Sequence, residues 1–212
     1  VFDSELYSSL FTQPELKELW SDENIIPYWL TFDSTIAHVQ AELAIIPREA
    51  AAEISAACQT LNIDWPRLAA ETRSVGMAIK PLVDQIADAG SPLVKKYLHW
   101  GCPTQDLLDT ALAMRLKQTL QLLRSQLVQL GAALKGMALE HRHPVMVART
   151  NSVDASATTW GLHVSSYLPE LPRHIQRLDR LCPAATTGLF GGAVGNLASV
   201  GSQGMEIRKQ LM

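Results

Sequence analysis

The sequence predicts an all-α protein in two parts, a small N-terminal helical domain over residues 1–98 and a partial long-helix bundle over 99–212. Three observations carry this. Apolar residues recur at helical spacing along nearly the whole chain. Leu112, Leu116, Leu120, Leu123, Leu127, Leu130, Leu134 and Met137 follow one another by threes and fours, which puts them on one seam of a single long helix. Signs of β-structure are few.

In order along the chain, helical spacing covers about Pro14 to Trp20 and Asn24 to Ile46, and Ile46-Pro47 closes the second of these with a proline stop. Short helices are expected around Arg48 to Cys58 and Asp64 to Thr72. Gly76 and Pro81 make the next stretch irregular before a helix over Leu82 to Ala89, which ends at the Gly90-Ser91-Pro92 break. The long helix then spans about Asp106 to His141, on the order of 50 Å at 1.5 Å per residue. Val145-Met146-Val147 reads as an extended crossing, and a second long helix follows over about Ala155 to Leu181, kinked or interrupted at Pro169 and Pro172. Two long helices cannot shield such a seam from water. Either they form a coiled-coil dimerisation hairpin, or further sequence or other subunits complete a bundle.

Composition narrows the function classes. A hydrophobic fraction of 47%, a charged fraction of 18% and a net charge of −3 fit a soluble globular protein, with no electrostatic footprint for nucleic acid or an anionic membrane. No apolar run approaches spanning length, and acidic residues stand where a secretory signal needs a basic start, so a cytoplasmic location is expected. Cys58, Cys102 and Cys182 are odd in number and widely spaced, which argues against disulfides or a zinc ribbon.

Three segments carry candidate chemistry. His99-Trp100-Gly101-Cys102-Pro103-Thr104-Gln105-Asp106 gathers an imidazole, a hydroxyl, an amide and a carboxylate at the turn opening the long helix. Unpaired N–H groups and the positive end of the helix dipole make that turn suited to a carboxylate ligand. In the second segment, Arg149 offers a bidentate fork to a carboxylate, with Thr150 and Asn151 as neutral partners. Alternatively Thr150 or Asn151 only caps the next helix and Arg149 pairs with a nearby acid. The third, Thr186 to Asn196, has four glycines in a short loop that lets backbone approach a ligand, without the strand–turn–helix setting of a dinucleotide fingerprint. Glu140, His141 and His143 have a metal-like composition, but two-residue spacing on a helix points the histidines to different faces, and no metal site is expected. His163 and His174 are expected to be interfacial or solvent-facing.

In order and spacing, His99 to Thr110, Ala148 to Gly161 and Gly188 to Gly201 resemble conserved regions of the fumarase/aspartase superfamily, most nearly its 3-carboxy-cis,cis-muconate cycloisomerase-like members. Their first motif, His-Trp-Gly-Ala-Thr-Ser-Gln-Asp followed by Asp-Thr-Ala-Leu, is matched at His99-Trp100-Gly101, Gln105-Asp106 and Asp109-Thr110-Ala111-Leu112. Phe190-Gly191-Gly192-Ala193-Val194-Gly195-Asn196-Leu197-Ala198-Ser199 resembles their glycine loop, and Phe2-Asp3, Trp20-Ser21-Asp22 and Ile45-Ile46-Pro47 also fit. There are departures. Pro103-Thr104 replaces Thr-Ser, leaving one hydroxyl. Asn151 stands where most relatives have His or Trp after Arg-Thr, and Asn cannot act as a general acid. Ser74 follows Glu71-Thr72-Arg73 where adenylosuccinate lyases tend to have His. The superfamily's serine-bearing mobile loop is expected outside this chain; Gly201-Ser202-Gln203-Gly204-Met205 imitates its opening but carries Arg208 and Gln210 in place of its Lys and Asn, and is read as an ordinary helix start.

The resemblance implies the N-terminal portion of a longer lyase-fold enzyme that acts on a small polycarboxylate through a carboxylate-stabilised carbanion, with no metal or organic cofactor. It implies His99 and Thr104 as catalytic groups, with Gln105, Asp106, Arg149, Thr150 and Asn151 binding substrate. A homotetramer whose sites draw on three subunits is implied as well, so this portion alone should lack a complete site. The rival expectations are a fumarate-releasing lyase of the same superfamily, such as an adenylosuccinate lyase, and a non-catalytic helical oligomerisation protein.

Overall fold

The computed structural model describes residues 4–211, so Phe2-Asp3 lies outside the described residues. It is mainly helical, with one two-stranded sheet among the described residues. Two compact units divide it, one running to Arg115 and resuming at Thr187, the other Leu116–Thr186. Residues 99–115 therefore pack with the N-terminal helices.

The first unit starts with α1 (Ser8–Phe11) and α2 (Pro14–Leu19). Helix α3 (Asp22–Glu42) follows, opened by Ser21, whose hydroxyl accepts from the Asn24 N–H, and by the acids Asp22 and Glu23, which favour the positive end of the dipole. Then come α4 (Arg48–Thr60), α5 (Trp65–Val75), α6 (Ile79–Ala89) and α7 (Pro92–Tyr97). Helix α6 starts ahead of the Leu82 expected from sequence, because Pro81 falls within its first turn, where no backbone donor is needed. Ile26, Trp29, Phe32 and Ile36 of α3 meet Ile54 of α4 and Leu82 and Ile86 of α6 in one core, which also takes in Leu107, Ala111, Phe190, Val200 and Ile207.

Helix α8 (Thr104–Glu140) is the predicted long helix, 37 residues long. Its buried residues all lie within Asp106 to Arg115; beyond them the seam stays half open, with Leu123, Leu130 and Met137 at 36%, 48% and 40% exposure. Arg115 turns its guanidinium onto the Leu19 and Ser21 carbonyls and stacks 4.5 Å from the Trp20 ring, tying α8 to the junction of α2 and α3.

The second unit departs from the sequence reading. The extended stretch at Val145-Met146-Val147 is present as β1 (Val145–Thr150), but in place of a helix from Ala155 the chain turns back as β2 (Val153–Thr159), forming an antiparallel hairpin with a bulge between Val147 and Arg149. Asn151 and Ser152 connect the strands at φ 48° and 65°, the positive-φ pair of a type I′ turn, where Asn is favoured. The second helix comes as two pieces, α9 (Trp160–Ser165) and α10 (Glu170–Ala185), with Pro169 preceding the latter. Neither Thr150 nor Asn151 caps it; the Thr159 hydroxyl does, accepting from the Leu162 N–H. Gly161 lies so close to the backbone of Ala138 and Arg142 that a Cβ there would stand 2.4 Å from the Ala138 carbonyl oxygen, so only glycine fits. His163 and His174 are exposed. Leu123, Leu127 and Leu130 of α8 face Leu178 and Leu181 of α10 across an open, largely apolar groove of about 570 Å³.

Back in the first unit, a 3₁₀ turn at Gly201–Gln203 leads into α11 (Gly204–Leu211). The stretch from Gly201 is thus a helix start, as the sequence reading held. Among the described residues no helix is long and apolar enough to cross a membrane.

Candidate active site

The turn His99–Pro103 delivers the chain from α7 to α8, and the structure pins it at successive residues. His99 takes φ 56° and donates from Nδ1 to Asp33 Oδ1 at 2.7 Å, the carboxylate being able only to accept. The Trp100 carbonyl accepts from Gln40 Nε2 at 2.7 Å, and the Gly101 carbonyl from Ser199 Oγ at 3.1 Å. Gly101 sits at φ 68°, with Val200 Cγ1 only 3.0 Å from where a Cβ would be, so both backbone and space favour glycine.

Thr104 opens α8, partly exposed, and among the described residues its hydroxyl has only a long 3.7 Å contact to Met77 Sδ. That weak partner leaves the hydroxyl free for a ligand beside the amides of the first helical turn. Gln105 turns its amide onto Asp109 Oδ1 at 2.7 Å. Asp106 is buried, and its Oδ2 accepts from the Gly191 and Gly192 N–H groups at 2.9 Å each. One turn on, the Thr110 hydroxyl both donates to the Leu189 carbonyl and accepts from its N–H, each at 2.9 Å. The first and third sequence motifs are therefore one substructure, clasped by Asp106 and Thr110.

Arg149, Thr150 and Asn151 belong to the second unit. Arg149 is three-quarters exposed and makes a 3.5 Å ion pair with Asp154, equally exposed, across the hairpin. Asn151 occupies its turn position, which accounts for an Asn here on backbone grounds.

Sequence reasoning missed Asp33 and Gln40. Both lie seven residues apart on the otherwise apolar face of α3, and polar residues on a buried stripe are the signal that could have found them. Cys102 lies two residues before the start of α8, a place where a helix dipole can activate a thiol. Burial, then the nearby Asp33 and Asp106 carboxylates, instead push it well above the ordinary thiol range; Cys58 is raised to about 12 by burial and then Asp33. Both are neutral thiols near pH 7.

With the geometry in hand, comparison with known proteins decides the family. A family model described as lyase matches residues 9–212. The chain belongs to that lyase family. Trans-aconitate decarboxylase 1 of Mycosarcoma maydis is 37% identical over 198 residues, covering 93% of this chain and 40% of the relative. The 3-carboxy-cis,cis-muconate cycloisomerase of Pseudomonas putida is 33% identical over 211 residues, covering 98% of this chain and 50% of the relative. The crystal structure of the 3-carboxy-cis,cis-muconate lactonizing enzyme from Pseudomonas putida superposes with a TM-score of 0.92 at 34% identity, over 98% of this chain and 48% of that one. Adenylosuccinate lyases are also among the relatives. The chain spans about half the length of the curated relatives it matches. This is the superfamily the motifs resembled, and it is a family of enzymes.

Proposed function

We propose that the whole protein containing this chain is a cytoplasmic lyase-family enzyme acting on an unsaturated tricarboxylate, in the manner of a 3-carboxy-cis,cis-muconate cycloisomerase. In that reaction one carboxylate of the substrate adds reversibly across a carbon–carbon double bond of the same molecule, closing a lactone. Adding the carboxylate places negative charge on carbon, which the neighbouring carboxylate stabilises, and a proton then neutralises it. Atoms balance without a co-reactant. The observation that carries the reading is the opening of α8, where the Thr104 hydroxyl and the first-turn amides stand next to a rigidly pinned turn. Fixed donors aimed at an anion are where such sites gain much of their effect. On this reading Thr104 and its amides hold one carboxylate, Arg149 and Thr150 another, with Gln105 and Asp106 shaping the surroundings and a serine base supplied from outside this chain. A homotetramer with shared sites belongs to the proposal, so Thr104 and Arg149 need not come from the same copy.

The two relatives named for their substrates support the class. Aconitate and carboxymuconate each carry three carboxylates on an alkene framework, so a tricarboxylate decarboxylase is the second reading, favoured by the 37% identity to the trans-aconitate enzyme. Against the adenylosuccinate alternative stands Asn151, which has no proton to give at that position. The test is a panel assay of the purified full-length protein with 3-carboxy-cis,cis-muconate, trans-aconitate and adenylosuccinate. Turnover of one of the two tricarboxylates alone is expected. Turnover of adenylosuccinate, or of nothing in the panel, would overturn the assignment.

A further inference from the structure

His99, Trp100 and Gly101 are each held by a side chain from outside the turn, and two of the three holders, Asp33 and Gln40, come from α3. Their exposures are 0% and 1%, among Trp29, Phe32 and Ile36 on the core-facing side of that helix. Burying a carboxylate and an amide in an apolar face opposes folding unless every polar atom is paired, and here the pairing is incomplete. Asp33 Oδ2, His99 Nε2 and Trp29 Nε1 are buried with no hydrogen-bond partner among the described residues. Apolar residues of similar volume would fill the space with less penalty, so stability alone does not account for Asp33 and Gln40. What they do achieve is placement. The turn they grip runs straight into Thr104, so its position sets where the hydroxyl and the first amides of α8 lie.

We propose that Asp33 and Gln40 are positioning residues for the anion site at the start of α8, acting through the His99 ring and the Trp100 carbonyl without touching substrate. His99 is part of the same device. Its Nδ1 is engaged by Asp33 and its Nε2 is sealed inside the chain, so it anchors the turn and takes no part in proton transfer. The proposal rests on reading that helix start as the place where a substrate carboxylate binds.

Trp100 gives a local reporter, being within the turn and 42% exposed. The full-length protein would be labelled with 5-fluorotryptophan, its Trp100 ¹⁹F resonance assigned with W100F, and D33N and Q40M compared with wild type. D33N preserves shape and an acceptor oxygen, and Q40M replaces the amide, donor and acceptor together, with an apolar side chain of similar length. Expected are a shifted, broadened Trp100 signal in both variants, unchanged Trp20, Trp65 and Trp160 signals, and a kcat lower by about 10- to 100-fold, the scale of a small misplacement of binding groups. Wild-type Trp100 signals in both variants would overturn the proposal, and so would loss of all tryptophan signals together, which would make the residues part of the general fold. The reporter is read without substrate. Failure of the wild-type enzyme to turn over a tricarboxylate therefore counts against the functional reading, while the Trp100 signal still decides this one.

Discussion

Arg149→Ala in the full-length protein is expected to lower kcat/KM by on the order of 10²- to 10³-fold, the loss typical of removing one anion-stabilising donor. The structure makes this a clean substitution. Arg149 is exposed, its only ion pair among the described residues is the loose one to exposed Asp154, and such pairs add little to stability. Steady-state kinetics should therefore collapse while size-exclusion chromatography returns the wild-type oligomer. Activity within a factor of two of wild type would remove Arg149 from the site.

Asp106→Ala should strike the fold of the site. The carboxylate is 2% exposed and satisfies two loop amides, so its removal leaves the half-buried Gly191 N–H and the buried Gly192 N–H without that acceptor. Orphaned buried groups of this kind cost about 2–4 kcal/mol together. Asp106→Asn keeps an acceptor oxygen and should cost less. Denaturant unfolding gives the stability, and amide hydrogen exchange gives its location: protection should fall first at residues 188–192. A variant as stable as wild type would show that the clasp through Thr110 holds the loop unaided.

Much of this was legible in the sequence, and what was not has physical reasons. The long helix was readable from its leucine seam, whose spacing is a property of neighbouring residues. The hairpin was hidden because β2 is rich in Ala and Ser, and its turn lacks the Asn-Gly or Asp-Gly signal that marks a type I′ connection; Asn151-Ser152 takes the same geometry without announcing it. The contact of Asp106 with the glycine loop was not legible, because an acid near a helix start has the same local pattern whether it faces a ligand or a loop 85 residues away. Asp33 and His99 are separated by 66 residues, so a polar residue on the apolar face of α3 signals only that a partner is needed. Family motifs pointed to the region. The division of labour within it, between groups that face outward and groups that hold the turn, required coordinates.

On the proposed function, the opening of α8 is the carboxylate site of an enzyme for unsaturated tricarboxylates. A crystal structure of the full-length protein with tricarballylate, a saturated tricarboxylate that cannot undergo the addition, tests it most directly. One carboxylate of the ligand should lie within hydrogen-bond distance of Thr104 Oγ1 and the first amides of α8. An ordered tricarballylate bound elsewhere, with Thr104 making no contact to it, would contradict the account.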